Sequence, residues 1–250
     1  PQMVKSIEIP SDTDLLITCS SCVINGLKRS PQTLHLSHIF SPMRYVTDEC
    51  FDDYFPSGMK RIIGTLLKKP LRNWDYQTSQ KVDHFISNSD YIGKRIQKYY
   101  LRESTTIHSP VEIQNFPLNE NPRENFYLVV SALTPYKRID LAIKAFNLLP
   151  DKKLVVIGKG SEFERLQKIA GPNIQMKGYV SSQEIPGYFQ RAKAFIFPGL
   201  EDFGITPLES MASGTPVIAF NQGGVTETVT PQTGLFFNNQ SEHSLREAIL

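Results

Sequence analysis

From residue 126 onward, short apolar runs alternate regularly with segments of helical periodicity. The runs typical of buried strands lie at 126–131, 154–158, 174–176, 194–197, 216–220 and 234–237. The helical segments lie at 139–149, 161–170, 182–192, 206–212, 226–229 and 242–250, with Ser161 predicted to cap the second of them. Strands separated by helices of this length form right-handed βαβ units. The pattern therefore predicts an α/β domain whose parallel strands all end at one edge of the sheet.

Residues 1–120 are less regular but also predict an α/β unit. Strand-like runs lie at 15–18, 33–39, 84–87 and 105–108, and helical stretches lie at 42–55, 58–82 and 89–100. The polar, proline-containing segment 115–125 is a natural linker. We therefore predict two Rossmann-like domains, 1–120 and 121–250. The chain starts without methionine and ends inside a helical pattern, so we expect a longer natural protein with an incomplete first domain here.

Composition excludes several classes of function. A net charge of +2 is too small to indicate a nucleic-acid partner. Cys19 and Cys22 form an isolated C-x-x-C pair without a second pair or histidines at ligand spacing, which favours two small buried side chains over zinc or redox chemistry. The low cysteine count fits a reducing compartment, and no signal peptide or membrane-spanning run is visible. We therefore expect a cytoplasmic protein.

Two glutamates eight residues apart, Glu201 and Glu209, carry the strongest functional signal. Glu201 follows the predicted strand 194–197, and Glu209 lies in the helix predicted at 206–212. Ligands of open α/β sheets bind at the carboxyl ends of the strands. The helix start at 203–205 offers backbone N–H groups and a positive dipole end to an anion. The arrangement suits a nucleotide with a charged phosphate linker.

Basic and glycine-rich loops follow other predicted strands of the same sheet. Lys137 and Arg138 follow the strand at 126–131, where a cation can neutralise a diphosphate leaving group. Gly158 opens a turn that departs from the dinucleotide fingerprint, because the sixth position is Phe163. A second glycine pair, at 223–224, offers backbone amides or simply makes a tight turn.

These motifs together resemble the family 4 retaining glycosyltransferases of GT-B fold. The resemblance covers segments 135–140, 156–160, 201–209, 212–217 and 223–227, in matching order and spacing. A shorter segment, 37–45, resembles the acceptor side of the GDP-mannose-dependent mannosyltransferase branch.

The resemblance implies a role for each matching residue. Glu201, Lys137 and His38 would be catalytic, with Glu201 at the donor sugar, Lys137 on the donor phosphates and His38 facing the cleft near the transferred sugar. Glu209 would hold the ribose hydroxyls. The other donor-binding residues would be Arg138, Gly158, Phe203, Gly204, Ile205 and Arg44. As a histidine at a strand end, His38 could equally be a packed or capping side chain.

One position departs from the family pattern. The arginine that usually precedes the lysine by five residues is replaced by Ala132. Half of the expected phosphate clamp is therefore absent, which costs on the order of 2–4 kcal/mol of leaving-group stabilisation unless Arg138 supplies the charge.

The implied reaction is retaining transfer of a hexose, best matched by mannose from GDP-mannose, to a glycan or lipid-linked acceptor. The nucleotide sugar is a co-substrate, and no cofactor or metal is expected because fixed cations and helix dipoles replace the metal. Three alternatives stay open: a non-catalytic nucleotide-sugar-binding protein, a dinucleotide-dependent oxidoreductase, and a GT-B phosphorylase or trehalose-type synthase.

The segment 59–72 raises the question of membrane contact. Met59, Ile62, Ile63, Leu66 and Leu67 share one helical face beside basic residues, and no acid occurs from Ser57 to Arg72. The usual amphipathic pattern favours a helix packed on its own sheet. The other interpretation is peripheral docking at the inner membrane face.

Overall fold

The computed structural model describes residue 4, residues 6–47, 51–118 and 122–250, and it divides the chain into two compact units. The first unit is Pro1–Ser109 and the second is Pro110–Leu250. The domain boundary predicted at residues 120 and 121 falls on residues outside the described ranges and stays a prediction.

The first unit contains a parallel sheet of four strands in the order β1-β2-β3-β4. The strands are β1 Leu15–Ser20, β2 Leu34–Ile39, β3 His84–Ser87 and β4 Ser104–Thr106. The α-helices are α1 Phe51–Tyr54, α2 Gly58–Ser79 and α3 Asp90–Tyr100, and short 3₁₀ turns occupy Val23–Gly26 and Arg44–Val46.

Helix α3 supplies buried residues to one hydrophobic cluster of this unit. Ser89 caps it, because its hydroxyl accepts the Ile92 N–H at 3.1 Å. Ile92 and Ile96, one turn apart, are fully buried against Phe85 of β3 and the Tyr100 ring. Helical spacing of apolar residues on one side of α3 therefore creates the layer that covers one face of the sheet.

The second unit is a six-stranded parallel sheet in the order β7-β6-β5-β8-β9-β10. The strands are β5 Phe126–Val130, β6 Lys153–Ile157, β7 Ile174–Gly178, β8 Ala194–Phe197, β9 Val217–Phe220 and β10 Gly234–Phe237. The α-helices are α4 Ile139–Asn147, α5 Phe163–Ile169, α6 Ile185–Arg191, α7 Ile205–Ala212 and α8 Glu242–Ile249. Short 3₁₀ turns occupy Ile113–Asn115, Pro135–Lys137 and Gly224–Glu227.

This strand order is that of a doubly wound sheet, with the first strand of the unit beside its fourth. Apolar residues of β5 alternate between two buried layers: Tyr127 and Val129 belong to one, and Phe126 and Leu128 to the other. Burial on both faces explains why the central strands β5 and β8 are continuous apolar runs. The predicted α/β fold class with two parallel sheets is confirmed.

Three local predictions differ from the structure. Helix α5 begins at Phe163 without a side-chain cap, so the prediction that Ser161 caps it is wrong. The reason is tertiary, because the Glu162 N–H donates to the carbonyl of Leu133 at 3.0 Å. The helix predicted at 42–55 is replaced by the 3₁₀ turn and α1, with residues 48–50 outside the described ranges. Cys22 is buried as expected, but Cys19 is exposed because it alternates with the buried Thr18 on strand β1.

Candidate active site

The loops that follow β5 and β8 lie side by side at the carboxyl edge of the second sheet. Strands β5 and β8 pair directly, through Tyr127 with Ala194 and Leu128 with Phe195. The chain leaves β5 toward β6 and leaves β8 toward β9, on the opposite side. In doubly wound sheets, the crevice at the point where strand order reverses is the usual ligand site.

Lys137 and Glu201 meet across this crevice. Lys137 ends the 3₁₀ turn after β5, and its Nζ forms an ion pair with Oε1 of Glu201 in the loop after β8. The two side chains are 21% and 13% exposed, so the pair is sheltered but open to a ligand. The Tyr136 ring lies 5.2 Å from the lysine Nζ and adds a cation–π contact. The structure therefore brings together two residues predicted from separate motifs.

Glycines allow the backbone around Glu201 to be held between two neighbouring loops. A β-carbon on Gly199 would lie 2.9 Å from the Lys137 carbonyl oxygen, and one on Gly223 would overlap the carbonyl oxygen of Glu201. The Gly224 N–H donates to that same Glu201 oxygen at 3.0 Å. Only glycine permits this approach of three loops, so the pair at 223–224 makes a tight structural contact that fixes Glu201.

Helix α7 begins at Ile205, four residues after Glu201. Gly204 adopts a left-handed φ of 95° and leads into Ile205, while the Phe203 side chain is buried and fixes the entry of the chain. The first backbone N–H groups of a helix have no intrahelical acceptor, and they carry partial positive charge. A helix amino terminus at Gly204 and Ile205, close in sequence to Glu201, is of the kind that binds anions, and the predicted contacts of Phe203, Gly204 and Ile205 with the donor stay predictions.

Glu209 lies one turn further along α7, at the wall of a cavity of about 570 Å³. The cavity is lined by Ile205 and Glu209 of α7, by 110–112, Asn115 and Phe116 of the connecting segment, and by Ser182, Gln183 and Pro186. Burial raises the pKa of the Glu209 carboxyl above its ordinary value. The carboxylate is thus poorly solvated, and a hydrogen bond from a ligand hydroxyl would replace part of the hydration that it has lost.

The connecting segment is part of this cavity because it docks on α6. The Phe116 ring packs edge-on to Phe189 with centroids 6.0 Å apart, and the Gln190 amide donates to the Pro117 carbonyl at 2.8 Å. The sequence predicts a linker at 115–125, and the part of this segment that lines the cavity was not predicted. The available signal was the aromatic residue Phe116 in a largely polar stretch.

Gly158 supports the site through backbone packing. Its φ is 147°, and a β-carbon there would overlap the Ser131 carbonyl oxygen at the end of β5. The following turn also lies against that loop, since the Leu133 N–H donates to the Lys159 carbonyl at 2.9 Å. Gly158 therefore shapes the loop that leads to Lys137, and its predicted contact with the donor stays a prediction.

The Arg138 side chain is bound within the unit itself. Its guanidinium donates to the Asp140 carboxylate at 3.3 Å and to the Gln240 side-chain oxygen at 3.1 Å. Gln240 in turn donates to the Pro198 carbonyl at 3.0 Å, which joins this cluster to the Glu201 loop. Gln240 was not among the residues predicted from sequence. The predicted role of Arg138 in donor binding stays a prediction.

His38 and Arg44 belong to the first unit. His38 lies near the carboxyl end of β2, its ring edge-on to Phe40 with centroids 5.0 Å apart. Its Nε2 is buried with no hydrogen-bond partner among the described residues, and burial lowers the pKa of the imidazole. Arg44 begins a 3₁₀ turn, and its carbonyl accepts the Thr47 hydroxyl at 2.9 Å. Their predicted roles stay predictions.

Metal-ligating side chains are not clustered in the part of the chain that the structure describes. No group of three or more His, Cys, Asp or Glu residues comes together there. The expectation of a reaction without a metal stays a prediction.

Comparison with known proteins assigns the family. Residues 110–250, more than half of the chain, match the family described as "Glycosyl transferases group 1". The chain therefore belongs to this family, and the matched region coincides with the second unit that carries the crevice.

The curated relatives include several mannosyltransferases. The chain is 33% identical over 135 residues to a GDP-mannose-dependent monoacylated alpha-(1-6)-phosphatidylinositol monomannoside mannosyltransferase of Corynebacterium glutamicum, covering 48% of this chain and 35% of that protein. It is 28% identical over 182 residues to the O-antigen chain mannosyltransferase RfbU of Salmonella typhimurium, covering 68% of this chain and 51% of that one. The chain spans about half or less of the length of these relatives.

Solved structures share the fold. Sucrose-phosphate synthase from Thermosynechococcus elongatus aligns with a TM-score of 0.72 and 19% identity, covering 94% of this chain and 63% of that one. TarM of S. aureus, in complex with fondaparinux, alpha-GlcNAc-glycerol and UDP, aligns with a TM-score of 0.67 and 18% identity, covering 88% of this chain and 44% of that one. The chain thus has the GT-B fold of glycosyltransferases. None of the helices in the described ranges has the length and apolarity needed to cross a bilayer.

Proposed function

We propose that this chain is part of a retaining glycosyltransferase of the family 4 type that transfers a hexose from a nucleotide-diphosphate sugar. The observation that carries the proposal is the Lys137–Glu201 pair at the strand-order reversal, directly before the amino terminus of α7. A cation and a helix terminus beside one carboxylate suit a leaving diphosphate attached to a sugar.

The donor we favour is GDP-mannose. The curated relatives are named as GDP-mannose-dependent or O-antigen mannosyltransferases, which supports mannose as the sugar. The cavity beside α7 has room for a nucleoside, and Glu209 at its wall is suited to accept hydrogen bonds from the two ribose hydroxyls.

The reaction we propose breaks the bond between the anomeric carbon and the diphosphate oxygen, and forms a bond to the acceptor oxygen on the same face. Lys137 and the α7 N–H groups neutralise the departing diphosphate. In this proposal, Glu201 stabilises the positive charge that develops on the sugar. The acceptor proton leaves with the nucleoside diphosphate, so no external co-reactant is needed.

The acceptor side of the proposal rests on the first unit. Burial lowers the pKa of the His38 imidazole and so favours its neutral form, which can accept a hydrogen bond from a sugar hydroxyl. We propose a glycan or a lipid-linked acceptor, and a cytoplasmic protein located peripherally at the inner membrane face. The relatives named for phosphatidylinositol mannosides support a lipid-linked acceptor.

A thermal-shift panel combined with a transfer assay tests this function. A ligand at 100 times its dissociation constant stabilises the folded state by about 2.7 kcal/mol. We expect GDP-mannose to raise the melting temperature more than UDP-sugars do, and NAD to have no effect. Transfer to glycan and lipid-linked acceptors with the α-configuration kept, observed by NMR of the product, supports the full proposal.

Each alternative gives a different result in the same experiment. Donor binding without transfer to any acceptor indicates a non-catalytic binding protein. The presence of Ala132 where the family pattern has an arginine is the reason to consider this alternative. Sugar transfer to or from inorganic phosphate indicates a phosphorylase. No stabilisation by any nucleotide sugar contradicts the proposal.

Replacing Glu209 by glutamine tests the ribose assignment. We expect the donor to bind about 10–100-fold more weakly, because charge-assisted hydrogen bonds contribute about 1.5–3 kcal/mol. The ligand-free protein should be as stable as wild type or more stable at neutral pH. Burial raises the pKa of Glu209, so its protonated carboxyl stabilises the folded state at low pH. This contribution is lost as pH rises through the raised pKa.

Titration calorimetry with GDP-mannose and a melting curve without ligand provide the two measurements. Glu247→Gln is the matched control, because Glu247 is exposed on α8. A Glu209→Gln variant that binds donor with wild-type affinity refutes the ribose assignment.

A further inference from the structure

The first half of helix α2 exposes a row of large apolar side chains. These are Met59, Ile62, Ile63, Leu66 and Leu67, with exposed fractions of 71%, 59%, 48%, 70% and 48%. Between Gly58 and Pro70, a fully described stretch, Gly64 is the only buried residue. The expectation that this apolar face packs on the sheet of its own unit is therefore wrong.

The orientation of α2 explains the exposure. At about 100° per residue, the five side chains fall within an arc of about 140° on the helix surface. Gly64 lies about 130° from the centre of that arc, and a β-carbon on it would meet the Phe55 ring at 2.5 Å. The helix thus contacts its own unit through the face that holds the glycine, and the apolar arc points away from that contact.

Lysines border the arc on both sides. Lys60 and Lys69 are exposed and lie just beyond its two edges by helical spacing. On the opposite face, Arg61 pairs with Asp52 at 2.7 Å, and the Lys68 Nζ lies 4.3 Å from the centre of the Phe51 ring. The sequence contains no acid from Ser57 to Arg72.

The second half of α2 anchors this surface to the unit. After Pro70, which lacks the N–H for the helical hydrogen bond, the side chains of Asp75, Thr78 and Ser79 become buried. Trp74 of this second half also belongs to a hydrophobic cluster that contains the buried Met43. One helix therefore joins a packed half to a half that projects apolar side chains outward.

We infer that the first half of α2 docks the protein on an anionic lipid bilayer, lying in the plane of the interface. The apolar arc enters the boundary between headgroups and acyl chains, and Lys60 and Lys69 contact acidic headgroups at its edges. A second copy of the same helix fits poorly, because it would bring the basic residues of both copies together without acids to pair them. This surface brings the enzyme to lipid-linked acceptors but acts independently of the donor site.

Vesicle co-sedimentation tests the inference without donor or acceptor. The intact chain is mixed with vesicles of phosphatidylcholine alone, or of phosphatidylcholine and phosphatidylglycerol in equal parts, at low and at raised salt. We expect binding to the anionic vesicles that weakens with salt. Leu66→Glu should lower the partition coefficient about tenfold or more, since a buried leucine side chain is lost from the interface.

Two further variants make the result specific. Lys60→Ser with Lys69→Ser should lower binding to anionic vesicles about fivefold per lysine and leave weak binding to neutral vesicles unchanged. Leu101→Glu is the matched control, because Leu101 is 67% exposed in the same unit but lies outside α2. It should bind like wild type, and circular dichroism confirms that every variant is folded.

Three outcomes overturn the inference. They are absence of binding to anionic vesicles at low salt, equal loss of binding in Leu66→Glu and Leu101→Glu, and lipid-free self-association that Leu66→Glu abolishes. The last result assigns the surface to a second copy of the chain. Because none of these measurements uses a nucleotide sugar, their failure leaves the proposed transfer reaction untouched.

Discussion

Replacing Lys137 by alanine is expected to lower the rate of sugar transfer about 10²–10³-fold, the usual effect of removing one preorganised group that stabilises developing charge. Lys137 contacts Glu201 at the crevice, and Ala132 contributes no charge where the family pattern has an arginine. The Arg138 guanidinium is already hydrogen-bonded to Asp140 and Gln240. We therefore expect Lys137 to carry most of the phosphate neutralisation. Steady-state kinetics with saturating acceptor measure kcat and kcat/KM.

A double-mutant cycle with Glu201→Gln separates the catalytic effect from the ion pair itself. If the two residues act on the same transition state, the double variant should be little slower than the worse single variant. Lys144→Ala is the control, because Lys144 pairs with Asp140 at 3.6 Å on the exposed side of α4. Wild-type transfer by Lys137→Ala, or full activity of Glu201→Gln, contradicts the proposed mechanism.

Much of the second unit could be predicted from sequence because each of its signals is local. The strands predicted at 194–197 and 234–237 have the same bounds in the structure, because short apolar runs bounded by turn residues indicate strands. The meeting of Lys137 and Glu201 also followed from sequence, because parallel strands end at one edge. The sequence alone does not determine which loops are neighbours. The observed strand order determines this, because it pairs β5 with β8.

The features that were not predicted depend on contacts between different segments of the chain. Arg138 is bound by Gln240, 102 positions further along the chain, so no local pattern signals it. The Ser161 cap was displaced by a bond from Glu162 to Leu133 of another loop. The exposure of the α2 apolar arc depends on Gly64 fitting against Phe55, which periodicity cannot reveal. In each case a tertiary contact overrides a reasonable local preference.

The buried carboxyl of Asp75 makes the stability of the first unit depend on pH. Asp75 lies in the packed half of α2 and is 4% exposed. Its Oδ2 accepts the Tyr100 hydroxyl at 2.8 Å and the Met43 N–H at 3.4 Å, while Oδ1 has no hydrogen-bond partner among the described residues. Burial raises the pKa of Asp75 from 3.8 to about 6, although the two hydrogen bonds act in the opposite direction.

Replacing Asp75 by asparagine is expected to remove most of this pH dependence. The protonated carboxyl is favoured in the folded state, so its contribution is fully present below the unfolded pKa and is lost as pH rises through about 6. The raised pKa means that ionised Asp75 destabilises the folded state by about 3 kcal/mol at neutral pH. In the variant this cost is absent, and an unpaired amide N–H costs about 1 kcal/mol instead. Asp75→Asn should therefore be more stable than wild type at about pH 7.5 and similar or less stable at about pH 4.5.

Trp74, the only tryptophan, lies next to Asp75, and its fluorescence in urea reports the unfolding of this unit. Asp12→Asn, at an exposed position, should keep the wild-type dependence. Parallel stability curves for wild type and Asp75→Asn between these pH values would show that the Asp75 carboxyl is ionised in the fold at little cost.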